Sequence, residues 1–332
     1  MLFSCALVVS AICPSTANAQ ERESVTPSAE EVSSPEKMLD YIRHHPRDVA
    51  FVSYSVKADG SVDTRNPIVS LNANVPMPLA STQKIVLLAA YARERVFGRV
   101  SAGEQIPVSD WERNYLAGTD GGSHARALGA LGIPSDEYGF ARSPNLKVRM
   151  DQLVWAMIEF SDNAAPDWLF ERIGPQTVLD TIAEGGMNDQ EPFLSLVGLM
   201  LACGNHEIGP LTERRLRTLA HLPAEELAAE VQRWHDAFQD LSWRMAELQW
   251  LLQGGSSAID RPLFARAEDE VMLKGTARDY AHVMSHVITG TFISPEVSRT
   301  MRSFLEWPMQ FPNVRAASPR GEIRVAHLTG EY

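Results

Sequence analysis

Ser81 and Lys84 stand three positions apart at the mouth of a long apolar run, Ile85, Val86, Leu87, Leu88, Ala89, Ala90 and Ala92. On a helix, positions i and i+3 share a face one turn apart, so this hydroxyl and this amine can touch. A serine hydroxyl is a weak nucleophile until a base takes its proton, and burial lowers a lysine's pKa enough to make it that base. The pair alone is common, and an N-cap serine followed by a solvated lysine is its ordinary meaning. Two later stretches change the balance. Ser161-Asp162-Asn163 lies 80 positions beyond Ser81, at the end of a second apolar helical stretch. By itself that tripeptide is a helix-end turn or the next N-cap. Thr329-Gly330 sits in a β-branched run near the C-terminus. The chemistry that a serine hydroxyl beside a desolvated amine supports is nucleophilic catalysis.

The elements that must position these groups can be read in turn. Residues 78–96 predict a helix with almost no polar face before Arg93, and a helix apolar all round is a buried one. Residues 148–160 carry apolar side chains at 150, 153, 154, 157 and 158, the period of an amphipathic helix. Residues 48–56 and 68–73 predict a strand and its returning partner across a turn at residues 58–60, with Pro76 and Pro78 ending the second strand. Residues 38–45 predict a short helix, and 164–173 and 176–183 two more. Residues 96–149 read as irregular. Asp120 and His124 are candidates there for lining a substrate path, against the favoured reading of a glycine-rich surface turn. A buried helix is expected at 193–201. A longer helical stretch follows at 211–252, with Trp234, Trp243 and Trp250 as core. Lys274-Gly275-Thr276 has the composition of K-T-G in the wrong order. Thr276 is expected to cap the helix at 277–290, with Asp279 as its partner, and Lys274 is not assigned to catalysis. His282 and His286 have metal-like spacing with no third ligand, so a surface pair is expected.

S-x-x-K at Ser81 and Lys84, S-D-N at residues 161–163, and a degenerate K-T-G at Leu328-Thr329-Gly330 together resemble the class A β-lactamase and penicillin-binding-protein-like serine hydrolases. The resemblance runs from about residue 48 to the C-terminus. It implies an α/β (α+β) fold: an antiparallel sheet with flanking helices, an all-helical lobe at about 82–290, and an active site in the cleft between them. It implies that Ser81 attacks, Lys84 assists as base, Ser161 shuttles a proton to the leaving nitrogen, and Asn163 bonds the substrate amide. Thr329, Gly330 and Glu331 would border the substrate, with the backbone N–H groups of Ser81 and Glu331 forming an oxyanion hole. The family's lysine before Thr-Gly, which attracts a substrate carboxylate, is replaced here by Leu328. Glu191-Pro192-x-Leu194 resembles part of the loop whose glutamate activates the deacylating water, but Ser195 stands where an asparagine is expected. On motif grounds a solvated Glu191 is favoured. The substrate implied is a β-lactam or a cell-wall peptide. Three activities stay open: a β-lactamase, a peptidase or transpeptidase, and a muropeptide or β-lactam binder that does not turn over.

Composition bounds the rest. The chain has 332 residues, 45% hydrophobic and 22% charged, enough for a substantial core, and a formal net charge of −12. Phosphate binding needs clustered Lys and Arg, so a nucleic-acid role is not expected. Residues 1–19 hold a short apolar core and Ala17-Asn18-Ala19, an A-x-A cleavage pattern. A cleaved leader and a periplasmic or secreted product are expected, with no membrane span. Residues 20–45 read as a linker, polar and rich in Ser, Glu and Pro up to about residue 37, and 46–332 as the hydrolase domain. Once the leader is removed Cys203 is the only cysteine, so no internal disulfide is expected. No metal or organic cofactor and no partner beyond substrate is implied, and a monomer is expected. The resembled fold carries further strands and a terminal helix after Thr329-Gly330, so the chain is expected to be a fragment of a longer hydrolase.

Overall fold

The computed structural model describes residues 11–12, 34–57, 60–255 and 261–306. Leu328, Thr329, Gly330 and Glu331 therefore lie outside the described residues, as does most of the expected leader.

A buried helix sets the architecture. α2 (Lys84–Val96) has every residue from Lys84 to Glu94 buried. Helices α5 (Met150–Glu159), α6 (Ala164–Ile173), α7 (Pro175–Glu184) and α14 (Pro295–Leu305) pack around it. Burial extends two residues beyond the apolar run, because Arg93 and Glu94 are buried as well. The Arg93 guanidinium grips Glu184 on α7 through Nε at 2.8 Å and Nη2 at 2.7 Å, and Glu94 through Nη1 at 2.7 Å. A buried charge is tolerated when it is paired and hydrogen-bonded. This clamp fixes the end of α2 remote from Ser81.

A small antiparallel sheet runs in the order β1 (Ala11–Ile12), β2 (Val49–Ser53), β3 (Val69–Leu71). β2 and β3 form the expected hairpin, with Phe51 opposite Leu71 and Ser53 opposite Val69. Ala50, Val52 and Tyr54 meet Ala277 and Ala281 of α13 (Ala277–Thr289) in a minor core of their own. A second strand pair, β4 (Met77–Pro78) with β7 (Lys274–Gly275), lies immediately before Ser81, and Leu79 N donates to Leu273 O at 3.0 Å. The reversed K-G-T is thus a strand and a cap: Thr276 Oγ1 accepts from Asp279 N at 3.2 Å and starts α13.

Residues 96–149 are more ordered than their sequence suggests. β5 (Gln105–Pro107) pairs with β6 (Lys147–Arg149), α3 (Val108–Trp111) follows β5, and α4 (Ser123–Ala130) opens after a glycine turn. Gly118, Gly121 and Gly122 all take positive φ there, a conformation open to glycine at no steric cost. That local freedom hides the segment's order from any periodicity.

The long helical stretch is an excursion that returns to its origin. Glu191 N donates to Lys274 O at 3.0 Å, and Lys274 N donates to Glu191 Oε2 at 2.8 Å, across 83 positions. Between them α8 (Leu196–Cys203), α9 (Glu213–Ala220), α10 (Ala224–Gln239), α11 (Leu241–Leu252) and α12 (Arg261–Val271) bury a second hydrophobic cluster, with Leu201, Leu216, Val231, Trp234 and Phe238 at its centre. Trp243 is half-buried at its margin, and Trp250 is half-buried, so neither is core. The helix expected at 193–201 begins only at Leu196, because Ser195 caps it, accepting from Gly198 N at 2.9 Å. Gly198 lets α8 and α10 touch: a Cβ there would meet Val231 O at 2.5 Å. Among the described residues no helix is long and apolar enough to cross a membrane.

Candidate active site

Ser81 sits in a 3₁₀ turn, Ala80–Gln83, that runs directly into α2. Ala80 has φ +42°, so the backbone is strained one residue before the hydroxyl. Ser161, at the end of α5, has φ +60°. Such conformations cost about 1–3 kcal/mol each in a residue with a side chain and persist only where the surroundings hold them. Both flank the same cluster.

The centre of that cluster is Lys84, whose side chain is wholly buried. Its Nζ lies 2.6 Å from Ser161 O, 2.7 Å from Asn163 Oδ1, 2.9 Å from Ser161 Oγ and 3.1 Å from Ser81 Oγ. The two hydroxyls are 2.6 Å apart. Burial pushes the amine down to about 7, against the opposing pull of Asp162, Asp120 and Asp167. The partners sort by chemistry. A carbonyl and an amide oxygen can only accept, so they take the two N–H bonds of a neutral amine. The remaining lone pair then faces two hydroxyls, which can donate. Because Asn163 Oδ1 is held by Lys84, its Nδ2 is the end left for a ligand.

Asp162 does not meet the cluster's polar partners; it holds the turn that carries them. It is wholly buried, accepts from Trp111 Nε1 at 3.0 Å and Ala165 N at 2.6 Å, and its Oδ2 lies 2.6 Å from His124 Nδ1. His124 is equally buried, stacked on Tyr115 and edge-on to Trp111, with Nε2 3.5 Å from Glu112 Oε1. Burial by itself would lower the imidazole's pKa, but Asp162 and Glu112 outweigh it and raise it to about 9. Burial likewise opposes ionisation of Asp162, yet His124 and the three bonds hold its carboxyl below the ordinary range. Asp162, bonded to Nδ1, and Glu112, near an Nε2 that makes no hydrogen bond, thus both favour the charged imidazolium. His124 braces the loop from behind, and Asp120 caps α4, accepting from His124 N at 2.7 Å and Ser123 Oγ at 2.9 Å. His124, wholly buried, does not line a substrate path, whereas Asp120 is half-buried and its charge acts on Lys84.

The structure thus brings Ser81, Lys84, Ser161 and Asn163 together. Glu191 is exposed, and its carboxylate is engaged with Lys274 N rather than with the serine cluster. Ser195 is buried against Asp167 and His235. His282 and His286 lie with ring centroids 4.3 Å apart and planes tilted by 52°, and among the described residues no group of three or more His, Cys, Asp or Glu could hold a metal. Sequence reasoning missed His124, Glu112 and Trp111 as the brace. Their one signal is a run of aromatic and ionisable residues, 111–124, inside a segment with no periodicity.

Comparison with known proteins adds the lineage. The model of the "Beta-lactamase enzyme family" matches residues 36–332. Among solved structures, the chain is similar to PBP-A, including a mutant titled as an acyl-enzyme complex with penicillin G. The identity there is 15% and the TM-score 0.39, over 72% of this chain. It spans 57% of the length of those PBP-A chains. It is also similar to a β-lactamase from Sphaerobacter thermophilus, at 17% identity and TM-score 0.44, over 84% of this chain and 70% of that one. A β-lactamase from Francisella tularensis gives 12% and 0.43, over 82% and 68%. No curated protein matches. With a family model covering nearly all of the sequence, the chain belongs to the β-lactamase enzyme family and has the β-lactamase-like fold, helix-rich with small sheets.

Proposed function

We propose that the protein is a serine hydrolase that opens β-lactam amide bonds through an acyl-Ser81 intermediate. The observation that carries this reading is the environment of Lys84: two acceptors hold its N–H groups, two hydroxyls face its lone pair, and burial brings its pKa to about 7. A neutral Lys84 takes the proton of Ser81 as Oγ attacks the carbonyl carbon. The developing oxyanion draws on the backbone N–H of Ser81, and a preorganised donor of that kind is worth about 3–4 kcal/mol. Ser161 Oγ, in reach of both Ser81 and Lys84, delivers a proton to the leaving nitrogen as the C–N bond breaks. Lys84 re-protonates Ser161, so each proton is accounted for. Asn163 Nδ2 bonds the substrate's amide oxygen. Thr329, Gly330 and Glu331 remain assigned by family resemblance, to the substrate's far side. The product is periplasmic or secreted on the strength of its A-x-A leader.

One observation favours a second reading, a penicillin-binding peptidase in which the ester is long-lived. The glutamate that the resemblance assigns to deacylation is engaged with Lys274 N, and the residue in the asparagine position, Ser195, is buried behind α6. A fluorescent penicillin with intact-mass detection tests both. Adduct formation that vanishes in Ser81→Ala supports acyl transfer, a decaying adduct marks a lactamase, and a persistent one marks a penicillin-binding enzyme. Labelling of Ser81→Ala at the parental rate overturns the nucleophile assignment.

A further inference from the structure

α11 carries an apolar stripe, Leu241, Met245, Leu248 and Leu252, at the i, i+4, i+7, i+11 spacing of a core-facing helix. The helix does not bury it. Leu241, Met245 and Leu252 are exposed, and the side chain turned inward is Glu247, buried and accepting from His206 N at 2.8 Å. Part of the stripe lines a cavity of about 260 Å³ between the excursion and residues 109–140. Phe238, Leu248 and Leu251 wall it on the excursion's side, and Tyr115, Leu116 and Phe140 on the other.

One side chain in this apolar wall is a cation. Arg244 is half-buried there, with its guanidinium 5.8 Å from the centre of the Phe238 ring. Nη1 donates to Arg113 O at 3.1 Å, and among the described residues the guanidinium forms no ion pair and its Nε and Nη2 have no partner. A charge taken out of water is normally paired. Burial and the nearby Arg113 both disfavour this one, and only Asp240 opposes them. The carboxylate in the wall, Glu112, is already engaged: its Oε1 accepts from Ala141 N at 2.5 Å and lies 3.5 Å from His124 Nε2.

We propose that this cavity binds a medium-chain carboxylate, with its chain against the apolar wall and its head on Arg244. A guanidinium offers a carboxylate two parallel donors, and Nε and Nη2 are the pair left for it here. Sites for drug-sized ligands start at about 300 Å³, so this one suits a smaller molecule of about ten non-hydrogen atoms. The occupant lies against Tyr115 and Glu112, which stack on and face His124 behind the turn that carries Ser161. Binding is independent of the acyl-transfer reading above; only an effect of the occupant on acylation rests on it.

Octanoate is the probe, titrated calorimetrically below its micelle range, with 1-octanol as the same chain without the charge. We expect saturable one-to-one binding of octanoate, weakened about tenfold to a hundredfold in Arg244→Gln, the size of a hydrogen bond to a charged group. Octanol should bind the parent more weakly than octanoate does, and Arg244→Gln no differently from the parent. Leu248→Trp fills the cavity while keeping Arg244 and should abolish octanoate binding. Ala117→Leu fills it from the opposite wall and keeps the test open if Leu248→Trp does not fold. Absence of octanoate binding to the parent overturns the proposal. So does equal octanoate affinity in a folded Arg244→Gln, octanol binding as tight as octanoate, or octanoate binding that survives in a folded, filled variant. If octanoate binds as expected while penicillin never labels Ser81, the carboxylate site stands and the acyl-transfer reading fails.

Discussion

Replacing His124 by alanine should be costly, and the cost should depend on pH in a fixed direction. His124 is wholly buried between Asp162 and Glu112, and its pKa rises from 6.5 to about 9. At about 1.4 kcal/mol per pH unit, this displacement corresponds to stability on the order of 3 kcal/mol. Because the folded value is the higher one, that stability is fully present below about pH 6.5 and is lost as pH rises through 9. At pH 7 most of it remains, although the unfolded imidazole is by then mostly neutral. The variant also strands Asp162 as a buried anion, and breaking a buried pair by removing one partner costs about 3–5 kcal/mol. Asp162 orients the turn that presents Ser161 and Asn163, so acylation should fall with stability. Urea unfolding of the parent, His124→Ala, Asp162→Asn and the double variant at pH 6, 7 and 10 gives the coupling. We expect about 2–3 kcal/mol at pH 7, shrinking towards zero at pH 10. A coupling under about 0.5 kcal/mol at pH 7, or one that does not change with pH, would refute the imidazolium–carboxylate brace.

Other outcomes follow from the same geometry. Glu191→Gln keeps an oxygen for Lys274 N, so it should change the acyl-enzyme lifetime by less than about threefold, against the 10²–10⁴ that loss of a general base produces; accumulation of adduct in this variant would restore Glu191 as deacylation base. Gly198→Ala forces a methyl against Val231 O and should cost about 1–3 kcal/mol by overpacking α8 on α10, read as a lower melting temperature. Trp111→Phe removes a donor at 3.0 Å to the buried Asp162 and should cost about 1–3 kcal/mol, measured by urea unfolding.

The parts legible in the sequence are those whose cause is local. Ser81 and Lys84 meet because three positions make one helical turn, and α2 is buried because its run has no polar face. Thr276 caps α13 as its spacing to Asp279 indicates. The bonds that make Lys84 a base are different, since Ser161 and Asn163 lie 77 and 79 positions away and only the family order suggested them. Positive φ at Ala80 and Ser161 has no local signal, because neither is the glycine or asparagine that such a turn prefers. The His124–Asp162 pair, 38 positions apart, was hidden by the glycine turn beside it. Residues 211–252 were recognisably longer than the resembled counterpart. One backbone bond and one backbone-to-carboxylate bond between Glu191 and Lys274 close the excursion that contains this stretch, and a contact across 83 positions leaves no mark on local pattern.

The central claim is that Lys84, neutral near physiological pH, deprotonates Ser81. The most direct measurement is the second-order rate of acylation by a labelled penicillin from pH 5 to 9, under conditions where the fold is intact. A one-proton rise with its midpoint at about 7, ending in a plateau, is expected, with loss of both rate and rise in Lys84→Ala. A rate that does not change between pH 5 and 9, or a Lys84→Ala variant acylated at the parental rate, would contradict it.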